Sequence, residues 1–514
     1  MKKLHFLKFL TVAILVAGAN QSCTDLEEQL FDQVTPDNFF KTDEELITGL
    51  GSAYTALYSI GNHGGFMSSN EVSSDEIMIP QRGQDWFDGG VWLRQHRHEW
   101  TVEEPHLNGS WTTIYGGINT CNRLIAQFQE LGNPVTEPFI GELKVLRALW
   151  YYWALDMFGN IPLSIDFKNS SLPATSSREQ VFNFIVNELR TEVPKLSKVV
   201  GASTYGRMNF YAGQALLAKL YINAEIFTGK PLWAQAVAAC DEIINSGAYS
   251  LEGNYFNNFN VNNGGSREAI LAVPYDEIFA RGFNLSQMTL HYGSQDTWNL
   301  TAQPWNGYCT LQEFYNSYED KDLRKGVYGN QKIRGNFHAG PQYRVDGVTP
   351  ILDGGAEAND PDGKPLVFTP QINEHFPNTL RQAGARVGKY EFKVGGLPDM
   401  SNDFPIFRYA DILLMKAEAL WRQNPNDPVA LALVNQVRAR AGVDPFISLT
   451  AENLLAERGR ELFYENHRRN DLIRFGKFNS AWDFKPVSPA FRNLFPIPLQ
   501  QLNANQNLRQ NPGY

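Results

Sequence analysis

The chain has 514 residues, 43% apolar and 19% charged, with a net charge of −10 and a pI near 5.5. That composition fits a globular chain with a large core and excludes a disordered one. The acidic balance argues against a nucleic-acid partner, which favours a basic face.

The N-terminus reads as a targeting segment. Lys2, Lys3 and Lys8 flank an apolar run from Phe9 to Ala19, too short to span a bilayer and the size of a signal-peptide core. It ends at ANQSC, residues 19–23. Ser22 directly before Cys23 predicts a lipoprotein signal over residues 1–22, with Cys23 lipidated, although Asn20 stands where such sites usually carry an apolar residue. Several acyl chains, at about 0.8 kcal/mol per buried CH₂, would anchor the chain firmly to a membrane. Cys121, Cys240 and Cys309 remain, an odd number that closes no disulfide framework. The first two lie in helical patterns and read as core residues.

Residues 42–60 and 108–131 read as helices. Between them, RGQDWFDGGVW (82–92) fits neither a helix nor a strand period and reads as a loop holding Trp86, Phe87 and Trp92. FIGELKVLRALWYYWALDMF (139–158) carries two apolar stripes and predicts a helix buried on most sides, broken through Pro162. Residues 178–197 form a further helix. Those at 209–227 and 231–247 make a pair of about 34 residues, the size of a tetratricopeptide (TPR) unit. Residues 248–405 are rich in Asn, Gly, Pro and aromatics with weak periodicity, and predict a loop-rich insertion on a helical platform. A second helix pair follows at 408–423 and 426–442, where Asp427 and Pro428 suit an N-cap and first helical position. A last long helix is expected over 451–469. The fold class is mainly α, organised as a 23–247 helical region, the 248–405 insertion and a 406–514 helical region.

Several stretches resemble the SusD/RagB family: LRALWYYWALDMFGNIPL, GRMNFYAGQALLAKLYINAE, SNDFPIFRYADILLMKAEAL, ERGRELFYENHRRNDLIRFGKF and the terminal LFPIPLQQLNANQNLRQNPGY. They occur in the family's order over nearly the whole chain. The resemblance implies a SusD-like fold with TPR-like helix pairs, on a lipid-anchored protein of the outer-membrane surface. It implies capture of an oligosaccharide or polysaccharide and delivery to a SusC-like TonB-dependent transporter, without catalysis. A peptide ligand, as for RagB-like relatives, and a surface glycoside hydrolase are the alternatives.

Sugar binding calls for aromatic plates beside planar hydrogen-bonding groups. In 70–100, Asp75, Arg82, Asp85, Trp86 and Trp92 are the expected ligand contacts. In 281–309 they are Tyr292, Trp298, Trp305 and Tyr308, with Asn299, Gln303 and Asn306 as polar partners. Family resemblance adds Arg386 in RQAGARVGKYEF (381–392), where a structural role for Arg386, Lys389 and Tyr390 is the competing reading. Glu457 and Glu461 share a helix face and raise a glycosidase reading, against which their arginine neighbours predict a solvated or ion-paired helix. HRHE (96–99) lacks the i, i+4 histidine pair of a metalloprotease, and NDPDG (359–363) lacks full EF-hand spacing, so no metal or cofactor is expected.

Overall fold

The structure, a computed structural model, describes residues 40, 42–355 and 359–514. The signal segment and the Cys23 lipidation site lie outside the described residues. Helices come in three groups. The first comprises α1 (Asp43–Tyr54), α2 (Phe66–Glu71), α3 (Val91–Arg97), α4 (Pro105–Glu130), α5 (Glu137–Phe158), α6 (Arg178–Glu192), α7 (Phe210–Ile222), α8 (Ala224–Thr228) and α9 (Trp233–Ile244). Three one-turn helices, α10 (Leu285–Thr289), α11 (Ser294–Trp298) and α12 (Gln312–Asn316), sit in the irregular stretch. The third group is α13 (Tyr409–Gln423), α14 (Pro428–Arg440), α15 (Ala451–Leu462), α16 (Arg468–Arg474) and α17 (Leu499–Ala504). The chain divides into Met1–Glu45 and Leu46–Tyr514. No helix among the described residues is long and apolar enough to cross a membrane.

Long helices pack in sequence, α4 on α5, α5 on α6 and α7 on α9. After the irregular stretch, α13 packs on α9 and α14 packs on α13, so the array resumes where it paused. The mainly α expectation, with TPR-like pairs and a loop-rich excursion, describes this architecture. α5 is buried on almost every side, as its two apolar stripes require. Its Trp150 lies against Gly117 of α4, where a Cβ would come within 2.2 Å of the indole Cε2, so the contact needs glycine. α14 starts as its sequence predicts: the Asp427 carboxylate accepts from the Val429 and Ala430 amides at 2.8 and 3.0 Å, and Pro428 follows it.

Two predicted helices are broken. The 209–227 pattern divides at Asn223, whose side chain donates back to the Lys219 carbonyl at 2.8 Å. The 451–469 pattern ends at Leu462, because Tyr464 and Asn466 adopt left-handed backbone angles (φ 55° and 62°). Their amides are captured by the Glu76 and Glu71 carboxylates at 3.3 and 2.7 Å. Distant acceptors thus compete successfully with the next helical turn.

Strands are short and tie the irregular stretch together. Ala269–Val273 pairs antiparallel with Phe404–Arg408, against the start of α13. Ile77–Met78 pairs with Cys309–Thr310, and Phe337–His338 pairs with Arg386–Val387. The second of these ladders positions the site, since it joins the 75–90 segment to the end of 281–309.

Candidate functional site

Past Met78, the chain turns tightly, with Arg82 and Asp85 exchanging backbone hydrogen bonds at 3.0 and 2.9 Å. Trp86 follows in a left-handed conformation (φ 63°), which a bulky residue rarely adopts. Its indole N–H donates to the Trp305 carbonyl at 2.7 Å. Beneath it lies Gly307, where a Cβ would sit 2.8 Å from the indole Cζ2. Trp86 is half-buried and Trp305 is 38% exposed. His63 stands edge-on to both, with ring centroids 6.3 Å from Trp86 and 5.2 Å from Trp305. Asn284 holds that imidazole, Nδ2 to Nδ1 at 2.9 Å, and burial keeps its pKa below the usual histidine value.

The two tryptophans border a hollow of about 440 Å³ lined also by Asp85, Asp88, Tyr292, Gln303 and Pro304. It shares Asp85, Tyr292 and Gln303 with a larger cleft of about 740 Å³. Gln81, Gln84, Asn359 and Asn378 bring amides to that cleft, and Gly354 and Gly355 leave its wall low. Tyr292 donates its hydroxyl to the Asp85 carboxylate, which fixes both side chains. The lining of both hollows carries two carboxylates, Asp85 and Asp88, and no lysine or arginine among the described residues.

Four of the predicted contacts therefore come together from two segments: Asp85, Trp86, Tyr292 and Trp305. The others have different positions, and burial is the reason in most cases. Arg82 is fully buried and donates to the carbonyls of Asn306 (2.5 Å), Gly307 (3.2 Å) and Ala383 (3.1 Å). Arg386 is also fully buried, donating to Asn306 Oδ1 at 2.8 Å and to the carbonyls of Arg381, Ala383 and Gly384. Burial, with Arg82 nearby, brings its pKa down to about 9. These guanidiniums are spent on protein acceptors and knot the 82, 306 and 383 segments together. Tyr308 is buried beneath them, its hydroxyl bonded to Ser68 Oγ. Trp92 belongs to α3 and not to a loop; it is 6% exposed, and its indole N–H donates to Asp88 at 2.8 Å. Asp75 is held by a two-pronged ion pair with Arg468 at 2.6 and 2.7 Å. Trp298 is half-buried but lines a separate cleft.

Sequence reasoning missed His63, the amides of Gln81, Gln84 and Asn378, and the wall at 353–355 and 359–362. That wall is held by Arg381, which donates to Asp353 (3.0 Å), Asp362 (2.8 Å) and the Asp360 carbonyl (2.6 Å). NDPDG is thus an arginine-bound turn. Composition offers only "Gly, Asp and Asn" for such a segment and gives no partner for it.

The charged α15 stretch is neither solvated nor open to a polymer. Glu457 and Glu461 are fully buried. Arg324 reaches both at 2.8 and 2.9 Å, Arg408 and Arg440 close on Glu461, and Arg438 and Arg460 close on Glu457. These cations hold Glu457 down to about 2 against the opposing effect of burial. Lys389, also fully buried, pairs with Glu465 at 2.5 Å. His96 and His98 are buried, bonded to Asp483 O at 2.9 Å and to Ser73 O at 2.8 Å. No group of three or more histidine, cysteine or carboxylate side chains among the described residues could hold a metal. Cys121, Cys240 and Cys309 are free and buried.

Helix pairs carrying an irregular, cleft-bearing stretch define the class: this is the SusD superfamily fold. A laminarin binding SusD-like protein matches it with a TM-score of 0.72 at 23% identity, over 92% of this chain and 100% of that one. Surface glycan-binding protein A from Bacteroides thetaiotaomicron, in complex with laminarihexaose, matches with a TM-score of 0.70 at 20% identity, over 91% and 99%. In sequence, residues 389–514 match the SusD family model. The chain is 27% identical to the starch-binding protein SusD of Bacteroides thetaiotaomicron over 98% of its own length and 97% of that relative's. It is 24% identical to SusD-like protein P38 of Formosa agariphila over the full length of both. The C-terminal quarter thus carries the SusD family signature, and the chain is similar to SusD and SusD-like proteins over nearly its whole length.

Proposed function

We propose that this chain captures an uncharged oligosaccharide or polysaccharide in the Trp86–Trp305 cleft, at the cell surface, and passes it to a SusC-like TonB-dependent transporter. The observation that carries this reading is the pair of indoles from separate segments, locked by one hydrogen bond and one histidine beside an amide-lined cleft. Each indole can cover the C–H face of one sugar ring. Burying about half an indole surface, roughly 75–100 Å², contributes up to about 2 kcal/mol. Asp85, Gln81, Gln84, Gln303 and Asn378 can meet the hydroxyl rim, the carboxylate with the stronger bonds. Two such platforms on an open cleft give modest affinity and fast release, which suits a relay.

The absence of cations from the described lining favours an uncharged ligand. A uronate or sulfate would meet Asp85 and Asp88, while the nearby guanidiniums have their Nη donors committed to protein acceptors. Starch and laminarin, named for the relatives, carry no charge. The signal segment and Cys23 support lipid anchoring at the outer membrane, and the family resemblance supports the transporter partner. A hydrolase on α15 is disfavoured because Glu457 and Glu461 are buried within ion pairs.

Isothermal titration against a panel of uncharged and charged glycans and peptides tests the proposal. At least one uncharged glycan should bind. Trp86→Ala and Trp305→Ala should each weaken it about tenfold or more, a loss of about 1.4 kcal/mol. Binding of peptides alone, or variants that bind as wild type does, would overturn it.

A further inference from the structure

Trp298 opens a different question. It ends α11 and lines a second cleft of about 740 Å³. Its ring meets Phe392 edge-on at 5.4 Å and lies 5.7 Å from His338, while His338 and Phe392 are 5.6 Å apart. The Trp298 carbonyl accepts from the Gly395 amide at 2.8 Å, which fixes the 393–396 wall against it. A half-buried indole is thus framed here by aromatic neighbours, as Trp86 and Trp305 are framed by His63.

The charge is opposite. Lys332, Arg334 and Lys393 line this cleft, against one carboxylate, Glu391. Lys393 is neutralised by Glu277, and Glu391 accepts from the Val261 amide at 2.9 Å. Arg334 and Lys332 have no carboxylate within 4.0 Å among the described residues. Arg334 spends its Nη donors on Asn260 Oδ1 and the carbonyls of Phe256, Phe259 and Lys389. It is part of the wall and supplies field. Lys332 is exposed and supplies contact. His338 is neutral at physiological pH, its pKa held near 4 by burial, so it adds no charge. Gln331 and Asn262 complete the polar rim.

We propose that this cleft is a second saccharide site, selective for an anionic sugar: a ring stacked on Trp298 with its carboxylate or sulfate at Lys332. Tyr292 of the first cleft and Trp298 of the second are six residues apart in sequence, so they are within about 21 Å of each other. The two clefts therefore divide ligands by charge on neighbouring parts of one surface protein.

The test uses the full chain and two anionic probes, a galacturonate hexasaccharide and a chondroitin sulfate hexasaccharide, with the methyl-esterified galacturonate as the uncharged control. At least one anionic probe should bind, more weakly as salt rises, and the esterified form should bind roughly tenfold more weakly. Lys332→Gln should weaken binding about fivefold, with recovery in Lys332→Arg. Trp298→Ala should weaken it about tenfold. A Trp86→Ala/Trp305→Ala double variant should bind these probes as wild type does. Should Trp298→Ala misfold, the exposed Lys332 variants still decide. Failure of both anionic probes to bind, equal binding of the ester, or loss in the double variant with retention in Lys332→Gln would each overturn the proposal. The uncharged-glycan reading of the first cleft stands or falls separately, on the uncharged arm of its own titration.

Discussion

Trp86 is held by three constraints: a left-handed backbone that costs about 1 kcal/mol or more, a hydrogen bond to Trp305 O, and a glycine beneath the ring. Such strain persists only where the surroundings over-determine it. Gly307→Ala puts a Cβ 2.8 Å from the indole and 2.9 Å from the Met288 carbonyl. Glycan affinity should fall about as far as in Trp86→Ala, measured by titration, with a far-UV spectrum like wild type. His63→Ala removes the ring that stands against both tryptophans and should weaken binding roughly fivefold, while His63→Phe should recover part of the loss. Arg82→Ala belongs to a different class. It leaves the buried carbonyls of Asn306 and Gly307 without their Arg82 donor, at about 1–3 kcal/mol each, while the Ala383 carbonyl keeps Arg386, so thermal unfolding should show a large fall in Tm. The sequence identifies Trp86 and Trp305 because tryptophans in a Gly- and Asn-rich segment have few local packing partners. It does not distinguish them from Trp92 and Tyr308, whose burial depends on Asp88 four residues away and on Ser68 in a distant helix. Side-chain direction in a loop is set by such partners, and composition carries no trace of them.

Among the elements, the long helices were legible and the breaks were not. Periodicity places α5 and α13, and cap chemistry places the start of α14. The end of α15 depends on Glu71 and Glu76, some 390 residues earlier, which draw the backbone amides of 464 and 466 out of the helix. α15 also carries a dense charge network, ion-paired as its alternating charges suggest but buried. Glu461 accepts from three arginines, Arg324, Arg408 and Arg440. Removing one partner from a buried ion cluster costs about 3–5 kcal/mol. Glu461→Gln should therefore lower the urea midpoint strongly while leaving glycan affinity in the surviving folded fraction unchanged.

For the whole molecule, buried titrating groups set the acid limit. Burial holds His96, His106 and His338 near 4 and His467 near 3, below the ordinary value of about 6.5. Their contribution is fully present above pH 6.5 and is lost as pH falls toward 4. Glu457, near 2, adds a second loss as pH falls below about 4.5. Glu71 acts oppositely: burial raises it to about 7, so its contribution is present below about 4.5 and lost as pH rises through 7. Glu76 shifts in the same direction as Glu71, and His98 and His375 add to the histidine side. Glu188, Glu313 and Asp403 are also raised by burial, but the histidines that burial lowers, His63 and His291 among them, outnumber these carboxylates, so Tm should fall steadily from pH 7 to pH 5 and more steeply below 4.5, as calorimetry would show. The central claim, that the Trp86–Trp305 cleft receives a glycan, is tested most directly by the crystal structure of the chain with the uncharged oligosaccharide that binds it best in titration. Sugar rings should lie in van der Waals contact with the faces of Trp86 and Trp305, with hydroxyls bonded to Asp85, Gln303 or Asn378. Ligand density elsewhere on the molecule, with both indoles uncovered, would contradict the account.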